Sequence, residues 1–246
     1  MRNIKLTIEY DGKRYLGWQR LGDSDKTIQG KIESILSDMT EEEIEIVGSG
    51  RTDASAHARA QVANFKTNSK MELADILDWL NRYLPQDIVI KNVEEATDRF
   101  HARYNAIGKQ YSYYVWNNQI PSAFERHRSY HFPQKLDLEK MKQAAKKLKG
   151  RHDFFGFSAL RKTKKSTVRT IEKIEILQEG NMLRFIFVGE GFLHKMVRII
   201  TGTLLEIGTD EMNEAMIDDI FENKVRKDAG DTVPAQGLFL DEVYYD

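Results

Sequence analysis

An arginine and an aspartate two positions apart, Arg51 and Asp53, sit in a run otherwise made of small residues, Gly48-Ser49-Gly50-Arg51-Thr52-Asp53-Ala54-Ser55-Ala56-His57-Ala58. A carboxylate suits attack on an electron-poor carbon or removal of a proton. Small residues let another chain come close to the backbone, and glycine allows φ > 0 where a side chain would clash. The run lies between two short β-like stretches, 44–47 and 61–66, and is longer than the about 2–5 residues of an ordinary hairpin loop. Loops fixed by a scaffold often carry functional groups. The same residues also fit a tight turn in which Asp53 accepts from a nearby backbone N–H and Arg51 is solvated. Taken alone, the stretch leaves both readings open.

The elements that must position this loop can be read from hydrophobic spacing. Residues 3–10 alternate, with Ile4, Leu6, Ile8 and Tyr10 on one face of a strand. A turn-rich loop with mixed aromatic and basic side chains follows, Asp11-Gly12-Lys13-Arg14-Tyr15-Leu16-Gly17-Trp18-Gln19-Arg20. Thr27 is placed as the N-cap of a helix carrying Ile28, Ile32, Ile35, Leu36 and Met39. Ser69-Lys70-Met71-Glu72 has the form of a capping box for a second helix, with Leu73, Ile76, Leu77, Leu80 and Leu84 inward and Pro85 ending it. Residues 87–93 form another strand, so the first half reads β-α-β-β-α-β.

The second half repeats the order. It has a strand at 109–116, with Tyr111, Tyr113 and Val115 on one face, and a helix at 137–149. A hairpin turns at Glu179-Gly180-Asn181, and a buried helix spans 192–207. An added amphipathic helix covers 209–223, and a closing strand covers 237–244. The expected class is therefore α+β: two tandem ferredoxin-like units, 1–104 and 105–246, with helices on one face. Their sheets are expected to join edge to edge into one mixed, mostly antiparallel sheet. Open sheet faces of this kind are used by RNA-recognition modules.

The net charge of the 246 residues is −1, but it is unevenly spread. Residues 99–173 hold 18 Lys/Arg against 5 Asp/Glu, the footprint expected of a phosphate-binding surface. Part of it could be a solvated helix face, as with Lys140, Lys142, Lys146, Lys147 and Lys149. The excess continues through Arg161-Lys162-Thr163-Lys164-Lys165, which favours a polyanion partner. There is no cysteine, so neither a disulfide framework nor a thiolate metal site is expected. His57, His101, His127, His131, His152 and His194 show no paired ligand spacing, and no metal site is expected. With no apolar run of membrane-spanning length and no signal-peptide pattern, the chain reads as soluble and cytoplasmic, with no membrane partner.

The loop around Asp53 resembles the catalytic motif of the TruA-type tRNA pseudouridine synthases. Further stretches match that family's pattern. They are Tyr10-Asp11-Gly12, Gly17-Trp18-Gln19, Thr27-Ile28-Gln29-Gly30, and Phe100-His101-Ala102-Arg103 with Tyr111 and Tyr113. His152-Asp153-Phe154, Met196-Val197-Arg198 and Pro234-Ala235-Gln236-Gly237-Leu238 complete a match covering nearly the whole chain. The resemblance implies isomerisation of uridine to pseudouridine in tRNA, at positions 38, 39 and 40 on the 3′ side of the anticodon stem-loop. No cofactor is implied, and the chain has no phosphate-binding glycine motif for ATP.

By the same resemblance Asp53 is the catalytic residue and Arg198 the cation that keeps it ionised and oriented. Tyr111 stacks on the target uracil and its hydroxyl handles the proton leaving C5; Leu238 packs on the other side of the base. Arg51 reaches into the stem where the base is flipped out, with Thr52 and His57 counted among the substrate-binding residues. Family members act as homodimers with one tRNA touching both subunits. Two positions depart from the family: Ser55 replaces the usual glycine and Ala56 the usual valine. Serine is less able than glycine to adopt φ > 0, so a less permissive loop is expected there, and a synthase with shifted target uridines stands as an alternative.

Two other classes compete. A non-catalytic RNA-binding module explains the charge and the fold but not the pairing of Arg51-Thr52-Asp53 with Arg198. A hydrolase using Asp53 and His57 needs a water-activating base and an oxyanion site, and neither is visible in the sequence.

Overall fold

In the computed structural model, which describes residues 1–22, 24–161 and 164–246, the alternating stretch at the N-terminus forms β1 (Arg2–Tyr10). Its Ile4, Leu6 and Ile8 are fully buried. The first unit continues with α1 (Ile28–Thr40), β2 (Val47–Gly48), β3 (His57–Thr67), α2 (Leu73–Tyr83) and β4 (Ile88–Ala96). β1 runs antiparallel to both β3 and β4, with Ile4 opposite Phe65 and Leu6 opposite Ala63. β2 pairs with the other side of β3. The strand order β4-β1-β3-β2 is that of a split βαβ module.

Thr27 caps α1 as the sequence predicts, its Oγ1 accepting from the Gly30 N–H at 3.2 Å. Ile28, Ile32 and Leu36 form the buried stripe that holds this helix in place. The capping box at the start of α2 does not form. Glu72 occupies the cap with no side-chain bond, and the Ser69 hydroxyl accepts from the Met71 N–H instead. Arg2 explains the difference: its guanidinium takes the Ser69 and Met71 carbonyls at 3.3 and 2.8 Å, holding 69–71 in a turn outside the helix.

The second unit contains β5 (Gly108–Trp116), β6 (Tyr130–His131), α3 (Leu138–Lys147), β7 (Gly150–Asp153), β8 (Val168–Glu179), β9 (Met182–Gly189), α4 (Met196–Gly208) and α5 (Met216–Asn223). Its strands lie in the order β5-β9-β8-β7, all antiparallel, with β6 parallel to β5. The β8–β9 hairpin turns where expected, with Gly180 at φ 59°. Asp137 caps α3, its carboxylate accepting from Glu139 and Lys140 N–H at 3.0 and 3.1 Å.

Two helices are shorter than the spacing predicts. α4 starts at Met196 rather than Phe192, because Lys195 at φ 60° interrupts the helix there. The expected helix at 209–223 survives only as α5, since Asp210 at φ 65° breaks the run. The Asn213 side chain then accepts from Ala215 N–H at 2.8 Å before the helix restarts.

The last strand, β10 (Leu238–Tyr244), pairs in parallel with β3, Phe239 opposite His57 and Leu240 opposite Ala58. The chain divides into Met1–Ile107 with Phe239–Asp246, and Gly108–Leu238. Residues 239–246, read from sequence as the close of the second module, thus fall in the first unit. Alternation marks a strand and its buried face but carries no information on which strand it joins. The class is α+β with mostly antiparallel pairing. Among the described residues no helix is long and apolar enough to cross a membrane.

Candidate active site

In the first unit the loop between β2 and β3 spans residues 49–56 and is fastened at several points. At its start, Ser49 N–H donates to the Val62 carbonyl at 2.7 Å and its hydroxyl to Gln61 Oε1 at 2.7 Å. Gln61 in turn donates to the Gly50 carbonyl at 2.9 Å. In the middle, Thr52 is buried, its hydroxyl 2.8 Å from the Tyr10 hydroxyl. Burial pushes the Tyr10 phenol well up, so it stays protonated and can serve as the donor of that bond. The Thr52 carbonyl accepts from Trp18 N–H at 3.2 Å.

Beyond Asp53 the chain turns back, the Asp53 carbonyl accepting from Ala56 N–H at 3.1 Å. Ser55 sits at the third position of this turn at φ 65°. The expectation of a less permissive loop is corrected here: serine takes the left-handed conformation that the usual glycine would adopt. Its N–H reaches the Tyr15 carbonyl at 3.2 Å, which helps hold it there. Ser55→Val is expected to cost about 1–2 kcal/mol, because a β-branched side chain resists φ > 0 more strongly. Ser55→Gly should lose no stability, and chemical denaturation of both variants checks the pair.

Two glycines let neighbouring chain approach this loop. A Cβ on Gly12 would overlap the Ala56 carbonyl oxygen and lie 2.7 Å from its carbon. Gly17, at φ 104°, would place a Cβ 2.7 Å from the Thr52 carbonyl oxygen. The result is a loop with a fixed backbone, a half-buried Asp53 and an exposed Arg51 whose Nε donates to Gln19 Oε1 at 2.9 Å.

His57 lies beneath the loop rather than on its surface. It is 1% exposed, its ring stacks on Phe239 at 4.5 Å, and its Nδ1 accepts from Gly12 N–H at 3.1 Å. Thr52 and His57 therefore position the loop in this structure. The hydrolase alternative loses an accessible imidazole.

The second unit holds Tyr111, Arg198 and Leu238. Tyr111, on β5, is 8% exposed and meets Phe192 edge-on at 5.2 Å. Tyr113, two residues on, is a core residue: fully buried, with its hydroxyl donating to the Pro234 carbonyl at 2.6 Å. Burial raises the Tyr113 phenol well above its ordinary range, outweighing the lowering by the Arg198 charge, and so keeps that donor protonated. Arg198, half-buried on α4, donates from Nε to the Val233 carbonyl at 2.8 Å. Arg198 and Tyr113 together hold successive carbonyls of the segment that leads to Leu238.

That segment can lie against α4 because both surfaces are bare. A Cβ on Gly202 would overlap the Asp231 carbonyl oxygen, and one on Gly230 would fall 2.6 Å from Thr203. Leu238, 7% exposed, begins β10 directly after this segment. The sequence places Tyr10 on a strand face and Gly12, Gly17 and Trp18 in a turn-rich loop, and all four in family motifs. Their role in fastening the Asp53 loop has no local signal, because the partners are distant in sequence.

Of the basic stretch at 161–165, Lys162 and Thr163 lie outside the described residues. Among the described residues no group of three or more His, Cys, Asp or Glu side chains is arranged to hold a metal ion.

A family model described as tRNA pseudouridine synthase matches residues 6–105 and 144–246. The chain is similar to tRNA pseudouridine synthase A 2 of Bacillus cereus (strain ZK / E33L), 48% identical over 245 residues and covering 100% of both chains. It is 47% identical over 245 residues to tRNA pseudouridine synthase A of Acetivibrio thermocellus, again covering 100% of both. To tRNA pseudouridine synthase A 2 of Clostridium perfringens it is 47% identical over 247 residues, with the same coverage. Matched along most of its length, with Asp53 on the fastened loop inside the matched region, the chain belongs to the tRNA pseudouridine synthase family.

Proposed function

We propose that this isomerase converts uridine to pseudouridine on the 3′ side of the tRNA anticodon stem-loop, at positions 38, 39 and 40, with Asp53 as the catalytic carboxylate. The observation that carries the reading is the loop itself: Asp53 is half-buried on a backbone fixed at Ser49, Thr52 and Ala56, while Arg51 beside it is exposed. Fixing a reactive group before substrate arrives removes much of the entropic cost of reaching the transition state.

In the reaction the N1–C1′ bond breaks, the base turns, and C5 bonds to C1′. The proton lost from C5 is balanced by one gained at N1, so no redox step or energy source is required. Asp53 attacks the electron-poor carbon or abstracts a sugar proton, and must be ionised for either. Arg198 is the cation proposed to pair with and orient it. Tyr111 stacks on the uracil and handles the C5 proton, Leu238 covers the base, and Arg51 occupies the stem position the base vacates. Thr52 and His57 support the loop that presents Asp53 and Arg51. The basic 99–173 segment holds the RNA backbone, and the enzyme works as a homodimer in the cytoplasm.

The experiment treats unmodified tRNA with the purified chain, without added cofactor, and maps pseudouridine nucleotide by nucleotide. Pseudouridine at the three anticodon-arm positions is the expected result. Pseudouridine only elsewhere in the tRNA would keep the chemistry and overturn the assigned target.

A further inference from the structure

We propose that the stacked pair His101 and Tyr104 is a second RNA contact, on which an unpaired base of the substrate tRNA stacks while Arg99 and Arg103 engage its phosphates. The inference rests on the reading of the chain as a tRNA-modifying enzyme and adds to it a binding element outside the Asp53 loop.

The pair stands on a turn with little freedom. His101 N–H donates to Asn105 Oδ1 at 2.7 Å, Asn105 N–H returns to the His101 carbonyl at 3.0 Å, and His101 Nδ1 accepts from the N–H groups of Arg103 and Tyr104, both at 3.2 Å. The turn is tied to the sheet below it. Ala102 N–H donates to Asn64 Oδ1 at 2.8 Å, and the Ala102 carbonyl accepts from the Tyr245 hydroxyl at 2.6 Å. Asn3 holds the Phe100 carbonyl at 2.9 Å.

On this rigid base Tyr104 is 79% exposed. Its ring lies 4.1 Å from the His101 ring at an angle of 26°, so one face is covered and the other is open to solvent. A flat, preordered aromatic face suits a nucleobase, since every base has a π-face to offer.

The cations beside it point to the same occupant. Several basic side chains of the first unit are matched with carboxylates, among them Arg2 with Glu95, Lys5 with Glu94, Arg14 with Asp87, Lys31 with Asp25 and Lys91 with Glu9. Arg99 and Arg103 are exposed, and neither is in an ion pair among the described residues. A protein partner docking an apolar surface here would desolvate two guanidinium groups without an acceptor, which is unfavourable. A phosphate backbone supplies acceptors and charge together.

The test compares Tyr104→Ala, Tyr104→Trp and the parent chain on an unmodified tRNA transcript, measuring KM and kcat separately and mass in solution by light scattering. Tyr104→Ala should raise KM about tenfold, with kcat within about twofold of the parent, and Tyr104→Trp should restore it. An unchanged KM, or a loss confined to kcat, would overturn the inference. So would a KM rise accompanied by a change in oligomeric mass, which would assign Tyr104 to contact between copies. A parent chain that neither binds nor modifies tRNA would instead refute the functional reading on which the inference rests.

Discussion

Asp53→Ala is expected to abolish pseudouridine formation, by on the order of 10⁴-fold or more, while leaving tRNA affinity close to that of the parent chain. The split follows from where the loop is fastened. Its bonds run through Ser49, Gly50, Thr52, Ser55 and the backbone of Asp53, and Gln61, Val62, Tyr10, Trp18 and Tyr15 supply the partners. Shortening the Asp53 side chain leaves those bonds in place, so the loop keeps its path and Arg51 stays available to RNA. Single-turnover assay of pseudouridine, with a filter-binding measurement of tRNA affinity on the same preparation, checks both halves. Near-parent turnover would remove Asp53 from the chemistry. Equal loss of affinity and turnover would make it a binding residue. Asp53→Asn should behave like alanine, because an amide keeps the shape but cannot supply a negative charge.

The second large effect is expected from a residue with no side chain. Gly12→Ala places a methyl group where the Ala56 carbonyl stands, and the obstructing atoms are backbone, so no rotamer change relieves the overlap. Either the segment at 11–14 or the end of the Asp53 loop must move. The Gly12 N–H bond to His57 Nδ1 is lost with it. A destabilisation of about 3 kcal/mol is expected, at the upper end of ordinary overpacking costs, together with a fall in turnover larger than the fall in tRNA affinity. Gly22→Ala is the control, since a Cβ there meets nothing within 4 Å. Denaturant unfolding of the two variants, followed by the turnover assay, separates a packing effect from a general intolerance of alanine. If Gly12→Ala matches Gly22→Ala in both measurements, close approach at Gly12 does not constrain the loop.

What the sequence made legible was largely local. The alternation of Ile4, Leu6 and Ile8, the Thr27 cap and the Gly180 turn each declare themselves within a few residues, and all three form as expected. The failures are also physical. The Ser69 capping box was competing with Arg2, a residue distant in sequence whose guanidinium holds the same turn. The helix expected to begin at Phe192 was interrupted at Lys195, and the one expected from 209 at Asp210. Both residues adopt positive φ without being glycine, which no composition rule flags.

The candidate site shows the same division. Arg51, Thr52 and Asp53 drew notice because small residues surround them in an over-long loop. Tyr10 and Gly17 hold that loop through contacts that a linear reading cannot see. His57 was placed among substrate contacts by its position in the motif. Its burial against Phe239 is a tertiary fact that no linear reading shows.

The stacking of Phe239 on His57 also bears on how the protein is made. β3 emerges early in synthesis, but β10, which pairs with its first residues, follows much later in sequence. A nascent polypeptide can form β1, β3 and β4 from local and mid-range contacts, yet the floor under the Asp53 loop is incomplete until Phe239 and the rest of β10 have emerged. The arrangement delays the finished loop until β10 has been made, so a chain cut before Phe239 would carry Asp53 without the ring that supports it.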